Sequence, residues 1–252
     1  MTVDQIVTGI MVCWNTEDLV DRAYKSVRQF HPTMPIIVVD GSTPEMPCYK
    51  YLDSIKDANL RAIHIGKNIG HGRGLDLGIK RARTPFALLF DSDIEMLKSP
   101  VQEMLNMMEP DTCGVGWIHP TDITGHEFGY RPEYIQHGPM RYLHPYFCLI
   151  QIKEYLKYNP YIHHGAPAVN LCLDIHRKNL SDKVLKEFPG LGHTSGKGLV
   201  WEGKPSEYIR HDTSPCYVNS WFGGTGARRV NKGLTHIDGA WEPVSDPLGV
   251  AK

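Results

Sequence analysis

The chain lacks the features that would place it in several broad classes of protein. Its 252 residues contain 27 Lys and Arg against 28 Asp and Glu, so no net charge favours nucleic acid or an anionic membrane as a partner. No apolar run approaches the roughly 20 residues that cross a bilayer, and Asp4 interrupts the position of a signal peptide. We therefore expect a cytoplasmic protein, with peripheral contact at the inner membrane face as the alternative.

The sequence also lacks a cysteine framework. It contains no CxxC pair and no His–Cys cluster at zinc spacing, and the six cysteines are scattered over positions 13, 48, 113, 148, 172 and 216. We expect reduced thiols rather than disulfides. The length is enough for one large domain, or for a domain with an appendage, that buries a good core.

What the first half of the chain does contain is a repeated alternation of strand and helix patterns. The predicted strands are 5–13, 35–39, 60–65 and 86–90, and the predicted helices are 19–30, 49–55 and 75–83. A glycine-rich segment, 66–74, precedes the third helix. Short connections between alternating strands and helices predict an α/β domain with a mostly parallel sheet.

The second half is less regular. We predict a helix over 99–108, a strand over 114–118, irregular loops with a short terminal strand over 119–145, a strand over 146–152 and a helix over 165–179. Residues 188–204 are glycine-rich and suit a mobile loop. The tail from Pro205 is interpreted either as a lid on the acceptor side or as a plain surface extension.

Polar residues follow four of the predicted strands. They are Trp14-Asn15, Asp40, Asn68 and the pair Asp91 and Asp93. Ligands of open α/β sheets bind beyond the carboxyl ends of the strands, so these side chains are predicted to share one edge. Residues i and i+2 of an extended chain point the same way, and two carboxylates suit a divalent cation. The alternative for Asp-Ser-Asp alone is a simple turn.

In this order the motifs resemble those of nucleotide-sugar glycosyltransferases of the GT-A fold, family 2 in particular. The blocks are VCWN, VVDGST, KNIGHGRGLDLGIKRARTPFALLFDSDIEM and, after a late helix, GHTSGKG. The resemblance covers roughly residues 5–200. It implies a Rossmann-like central sheet, a catalytic domain over 1–204 with a nucleotide-sugar half at 1–118 and an acceptor half at 119–204, and a C-terminal extension or lid over 205–252.

The resemblance also implies roles for the residues at the nucleotide. Trp14 would stack on the base, Asp40 would accept a hydrogen bond from a base N–H, and Asn68 and Arg73 would flank base and ribose. The alternatives are a core position for Trp14 and a solvated one for Arg73.

At the diphosphate, the resemblance assigns Asp93 to a Mn²⁺ or Mg²⁺ ion and Asp91 to the ribose or a metal-bound water. His193 matches a family histidine that ligates the metal, and Lys197 would neutralise phosphate charge. Simple exposure on a glycine-rich loop is the alternative for both.

Inverting transfer needs a base for the acceptor hydroxyl, and the family often has a Glu-Asp pair at the start of the late helix. This chain departs from that pattern, because Leu171-Cys172-Leu173-Asp174 offers one carboxylate. Asp174 is the predicted base, and His163 or His164 is the alternative. The departure leaves a retaining mechanism open.

The predicted activity is metal-dependent transfer from a nucleoside-diphosphate sugar, with a UDP-sugar favoured, to a hydroxyl on a glycan, a lipid-linked acceptor or a small molecule. A catalytically silent sugar-nucleotide-binding module stays open because the Glu-Asp pair is missing. A haloacid-dehalogenase-type phosphohydrolase also ends a strand in Asp-x-Asp, but here the motif follows several strand–helix units. A sugar-1-phosphate nucleotidyltransferase would need an early glycine-rich loop with Arg and Lys. No such loop follows the first strand.

Overall fold

A computed structural model describes residues 1–121, 140–162, 166–191 and 206–211, together with the backbone of two short strands at 234–237 and 240–243. Within these residues the strands are β1 Val7–Cys13, β2 Ile36–Asp40, β3 Leu60–His64, β4 Phe86–Phe90, β5 Ile94–Met96, β6 Gly114–Thr121, β7 Met140–Gln151, β8 Leu185–Glu187, β9 Ile209–His211, β10 Leu234–Ile237 and β11 Ala240–Pro243. The helices are α1 Val3–Ile6, α2 Glu17–Phe30, α3 Pro47–Ser54, α4 His71–Arg81, α5 Val101–Asn106, α6 Ile152–Tyr155, α7 Val169–Arg177 and α8 Ser181–Val184.

Seven strands form the central sheet, in the order β3-β2-β1-β4-β7-β6-β8. Strands β1 to β4 run parallel, β7 runs antiparallel to both of its neighbours, and β8 is parallel to β6. Cys13 pairs with Asp40, and Asp40 pairs with His64, so three strands end level with one another. The predicted mostly parallel α/β sheet is confirmed.

The sheet is buried on both faces, which explains why its strands are apolar at nearly every position. Met11 and Val38 belong to the core on one face, where α2 also packs, and Ile10 and Val39 belong to the core on the other. α4 lies against this second face. Gly74 of α4 approaches β1 so closely that an added Cβ would lie 2.7 Å from Val12 Cγ1.

Several predicted boundaries differ from the structure, among them those of α4, of β6 and β7, and of α7. α4 begins at His71, inside the predicted glycine-rich loop, because the close approach of the helix to β1 requires small residues rather than a turn. β6 extends to Thr121 and β7 begins at Met140, so part of the predicted irregular segment is sheet. α7 is confined to Val169–Arg177 within the predicted helix at 165–179.

A small second sheet connects the C-terminal part of the chain to the centre. β9 pairs antiparallel with β5, with Ile94 opposite His211 and Met96 opposite Ile209. β5 starts at Ile94, directly after the Asp-Ser-Asp motif. The pairing with β9 therefore brings a distant segment to the carboxyl end of β4. Among the described helices, none is both long and apolar enough to span a membrane.

Candidate functional site

The motif Asp91-Ser92-Asp93 is positioned by the buried strand β4. Phe90 is fully buried and pairs with Phe147 of β7, and the N–H of Asp91 donates to the carbonyl oxygen of Tyr146 at 2.9 Å. The chain then leaves the strand and enters β5. The main chain on both sides of the two carboxylates is therefore fixed by sheet pairing, which limits the positions that they can take.

Asp91, Asp93 and His211 form a compact cluster of donor atoms. One ligand atom from each residue lies within 4.8 Å of the other two. Nε2 of His211 lies 3.0 Å from Oδ1 of Asp93 and 3.8 Å from Oδ2 of Asp91. Two carboxylates and an imidazole fit a divalent cation in donor type and spacing.

His211 is a residue that the sequence reasoning missed. It stands at the end of β9, opposite Ile94, and its ring stacks on Tyr146 with centroids 5.2 Å apart. The local sequence signal is only a short run of β-favouring residues, Tyr208-Ile209, before Arg210 and the histidine. A three-residue pairing across so long a separation has no signature in the sequence.

The electrostatics of the cluster favour an ionised Asp91. Burial raises the pKa of this carboxyl group. The imidazoles of His71, His211 and His144 lower it by a larger amount, so that the pKa is about 2. Nε2 of His71 lies 3.1 Å from Oδ1 of Asp91. His71 is the first residue of α4. The glycine-rich segment therefore contributes an imidazole to the site, and its Gly74 also allows α4 to approach β1.

Two residues are predicted to bind the base. Trp14 directly follows β1, and Asp40 is the last residue of β2. Trp14 is 7% exposed, and Asp40 is 0% exposed. Oδ1 of Asp40 accepts from the N–H of Ser42 at 2.9 Å and from Sγ of Cys13 at 3.6 Å. Oδ2 lies 2.9 Å from Nδ1 of His64. Asp40 thus fixes the turn after β2, and its contact with a base stays a prediction.

Asn68 and Arg73 lie at the start of α4. Oδ1 of Asn68 accepts from the N–H of Gly70 at 2.9 Å, which fixes the turn before the helix. Nδ2 of Asn68 is buried and has no hydrogen-bond partner in the part of the chain that the structure describes. Arg73 is exposed on the first turn. Both roles at the nucleotide stay predictions.

The structure does not bring Asp174 into the cluster of Asp91 and Asp93. Oδ2 of Asp174 accepts from the N–H of Asn159 and from Nζ of Lys178, both at 3.1 Å. Asn159 follows α6, which begins where β7 ends, beside the amino end of β4. Asp91 follows the carboxyl end of β4, which is the opposite end of the strand. The role of Asp174 as base stays a prediction, and these contacts show that it also anchors α7.

The other predicted residues of the acceptor and phosphate side lie outside the described residues. They are the metal ligand His193, the phosphate contact Lys197 and the alternative bases His163 and His164. Among the described residues, His211 lies beside Asp93 and His71 lies beside Asp91.

The fold has relatives among solved structures. Glucosyl-3-phosphoglycerate synthase from Mycobacterium tuberculosis, in complex with phosphoglyceric acid, superimposes with a TM-score of 0.51 at 12% identity, over 73% of this chain and 69% of that one. A mannosyltransferase from Pyrobaculum calidifontis, in complex with GDP-mannose and Mn²⁺, gives 0.48 at 13% identity, over 72% of this chain and 54% of that one.

TarS from S. aureus, in complex with UDP-GlcNAc, gives 0.43 at 17% identity, over 60% of this chain and 46% of that one. The chain thus spans about half the length of the mannosyltransferase and of TarS. No curated protein matches the sequence. The match to the synthase, at 12% identity, shows the fold alone, which is the predicted GT-A arrangement.

The sequence is also matched by a family model, described as Glycosyl transferase family 2, over residues 8–167. This range begins in β1, includes the Asp-Ser-Asp motif and extends to the residues just before α7, and it is more than half of the chain. The chain therefore belongs to glycosyl transferase family 2.

Proposed function

We propose that this protein transfers a sugar from a nucleoside-diphosphate sugar, with a UDP-sugar favoured, to a hydroxyl acceptor in a reaction that needs a divalent cation. The observation that supports it is the cluster of Asp91, Asp93 and His211 at the carboxyl edge of a GT-A sheet. That edge is where ligands of open α/β sheets bind. Family membership makes a nucleotide sugar the first class of ligand to test.

Asp93 and His211 are the residues proposed to hold the cation, with Asp91 directed to the ribose or to a metal-bound water. Carboxylate oxygens suit Mn²⁺ and Mg²⁺, and the imidazole favours Mn²⁺ of the two. When bound, the cation would neutralise the negative charge of the diphosphate as the bond to the sugar breaks. The low pKa of Asp91 keeps this carboxylate ionised at neutral pH.

The nucleoside is proposed to lie over the ends of β1 and β2 and the start of α4. Trp14 is proposed to contribute its ring to the base, and Asn68 its buried Nδ2 group, which has no hydrogen-bond partner among described residues. Asp40 and Arg73 complete the proposed set. A buried donor without a partner favours a polar ligand there, because such a group is costly to leave unsatisfied.

Asp174 stays the proposed base for an inverting, single-displacement transfer to the acceptor hydroxyl of a glycan, a lipid-linked molecule or a small molecule. A catalytically silent module that binds sugar nucleotides is the second candidate. It is favoured by one observation, which is that the only carboxylate of α7 is already bonded to Lys178 and Asn159.

A donor screen tests the proposed function. The full chain is incubated with a panel of UDP- and GDP-sugars, with Mn²⁺, with Mg²⁺ or with chelator, and release of nucleoside diphosphate is measured. Metal-dependent release from at least one donor is expected. Metal-dependent binding without release from any donor, including in the presence of simple sugar and glycan acceptors, would favour the silent module. Release of phosphate from phosphoesters would overturn both.

A further inference from the structure

We propose that Cys13 and Cys48 form a reversible oxidation site, a dithiol that closes to a disulfide beneath the nucleoside end of the proposed donor site. The two residues are 35 positions apart in the chain, yet their Sγ atoms lie 3.7 Å apart. Cys13 is the last residue of β1, and Cys48 is the second residue of α3. An S–S bond is about 2.05 Å long, so the two sulfurs need to approach by less than about 2 Å to form one.

The surroundings of Cys48 favour its thiolate, which is the form that reacts with oxidants. Contact with Cys13, and after it the main chain of Thr16 and the side chain of Ser42, lower the pKa of the Cys48 thiol, and together they outweigh burial and the charge of Asp40, which raise it. Cys48 also lies in the first turn of α3, where the helix dipole favours negative charge.

Cys13 has the complementary properties of a resolving thiol. Its contact with Cys48, burial and the nearby Asp40 carboxylate all raise its pKa, so it keeps its proton. Of the two thiols, Cys48 is therefore the more acidic and Cys13 the less acidic. A dithiol of this kind is typical of redox-sensing sites, where a low-pKa cysteine lies next to a resolving one.

The remaining described cysteines provide the contrast. Burial raises the pKa of Cys113, Cys148 and Cys172, in the last case to about 12. Cys113 and Cys148 lie close enough to other thiols for these to raise their pKa, but among the described residues Cys13 and Cys48 are the cysteines joined by a sulfur–sulfur hydrogen bond. They are therefore expected to stay reduced under conditions that oxidise Cys13 and Cys48.

Cys48 is fully buried, but residues next to it in the chain are exposed. The preceding residue, Pro47, is exposed, as are Pro44 and Glu45 of the segment that leads into α3. Local opening of this short segment is enough to admit a peroxide molecule, which is little larger than water. An oxidant the size of glutathione would need a larger opening, so hydrogen peroxide is the class of oxidant that the site favours.

The proposed chemistry consumes one peroxide. The Cys48 thiolate attacks one peroxide oxygen and breaks the O–O bond, which gives a sulfenic acid and, after protonation, water. The Cys13 thiolate, formed as its proton is lost, then attacks the sulfur of the sulfenic acid, forms the S–S bond and expels hydroxide, which takes up that proton as a second water. Two thiols are oxidised and one peroxide is reduced to two waters.

Closing the disulfide would alter the nucleoside end of the site, and this part of the inference rests on the proposed function. Cys13 immediately precedes Trp14 and donates to Asp40, while Ser42, which influences the pKa of Cys48, accepts from the N–H of Asn15 at 2.9 Å. Oxidation removes the S–H of Cys13 and with it the hydrogen bond to Asp40. We therefore expect oxidation to weaken binding of a nucleoside diphosphate.

The first test needs no activity. The native, metal-free full chain is treated with graded hydrogen peroxide, alkylated under denaturing conditions and analysed by intact and peptide mass spectrometry. The expected result is loss of two hydrogens, reversed by dithiothreitol, in a crosslinked pair of peptides containing Cys13 and Cys48. A native chain that stays fully reduced, or that links other cysteines first, would overturn the proposal.

Variants sharpen the assignment. Cys13→Ser should leave Cys48 as a sulfenic acid that a dimedone-type reagent labels, whereas Cys48→Ser should abolish both the crosslink and the labelling. The controls Cys172→Ser and Cys216→Ser should crosslink as the unsubstituted chain does. Because the two sulfurs with Asp40 also fit a soft metal ion, elemental analysis is run in parallel. One tightly bound zinc per chain that protects both thiols would overturn the redox role.

A binding measurement separates this inference from the proposed function. UDP affinity in Mn²⁺ is compared between reduced and peroxide-treated chains, and a loss on the order of tenfold is expected on oxidation. A crosslink that forms while UDP binds neither form leaves the oxidation site standing and counts against the proposed function. A crosslink with equal UDP affinity in both forms overturns the effect on the donor site.

Discussion

Nε2 of His211 lies 3.0 Å from Oδ1 of Asp93, although the two residues are 118 positions apart in the chain. The contact exists because β9 pairs with β5, which starts immediately after the motif that contains Asp93. The tail of the chain therefore contributes a donor atom to the candidate metal site. We expect metal affinity to depend on this late segment as much as on the motif itself.

Substituting Asp93 tests the centre of the proposed site. Asp93→Ala should abolish Mn²⁺-dependent donor binding and turnover, because it removes the carboxylate closest to His211. Calorimetry with Mn²⁺ and UDP provides the measurement. The matched control is Glu95→Gln, two residues further along β5, whose carboxylate pairs with Arg210 instead. Full activity of Asp93→Ala in Mn²⁺ would show that the metal assignment is wrong.

The identity of the ligating histidine is tested by a pair of variants. His211→Ala should weaken Mn²⁺ binding by on the order of 10-fold or more, since it removes one of the two residues proposed to hold the cation. His193→Ala tests the ligand implied by the family resemblance. Equal losses in both variants would indicate that both imidazoles reach the cation, and a loss in His193→Ala alone would contradict the role of His211.

Asp174→Asn tests the proposed base and keeps the shape of the side chain. If Asp174 takes the acceptor's proton, turnover falls by on the order of 100-fold with donor binding intact. The lost ion pair with Lys178 is an exposed i,i+4 contact worth about 0.3–0.5 kcal/mol, so the melting temperature should change little. Unchanged turnover would show that Asp174 only anchors α7. Asp182→Asn, which changes an exposed carboxylate in α8, serves as the control.

The carboxyl group of Asp57 predicts a specific loss of stability in acid. Burial raises its pKa. The N–H of Asn59, the hydroxyl of Tyr24 and the guanidinium of Arg28 lower it by a larger amount, so that the pKa lies below its ordinary value of 3.8. Nε of Arg28 lies 2.7 Å from Oδ2. Since the folded pKa is the lower one, ionised Asp57 stabilises the fold above about pH 4, and this stabilisation is lost as the pH falls through the folded value.

Urea unfolding of the Asp57→Asn variant from pH 7 down to pH 3 measures this effect. The variant should be less stable than the unsubstituted chain at pH 7, and the difference in free energy of unfolding should narrow below about pH 4. A difference that stays constant over this range would contradict the shifted pKa. Asp182→Asn removes a carboxyl group that is 91% exposed and should leave the pH profile of stability nearly unchanged.

Gly78 is required by the packing of α4 against β1. A Cβ added at this position would collide with Cγ2 of Ile10, a β-branched side chain in the middle of the strand. Gly78→Ala gains about 1 kcal/mol of helix propensity and loses about 1–3 kcal/mol to overpacking, so net destabilisation is expected. Thermal unfolding measures it, with Lys80→Ala on the exposed side of the helix as control. A higher melting temperature for Gly78→Ala would contradict the packing.

Much of the fold was predictable because local pattern and burial agree in the first half of the chain. The apolar run of β4 and the spacing of Leu19, Ala23 and Val27 in α2 each specify one element, and the structure buries those residues. The start of α4 was mispredicted because the glycines at 70, 72 and 74 look like a loop in sequence, while in the structure Gly74 lies in the helix and permits its contact with β1.

The site divides in the same way. By itself the sequence determined that Asp91 and Asp93 end a buried strand, that polar residues follow the neighbouring strands, and that the order of motifs is that of family 2, because these properties depend on residues close together in the chain. Only the tertiary structure decided that His211 completes the cluster, that Cys13 and Cys48 adjoin, and that Asp174 bonds to Lys178 and Asn159. Contacts between distant segments depend on sheet order and packing, which no local pattern encodes.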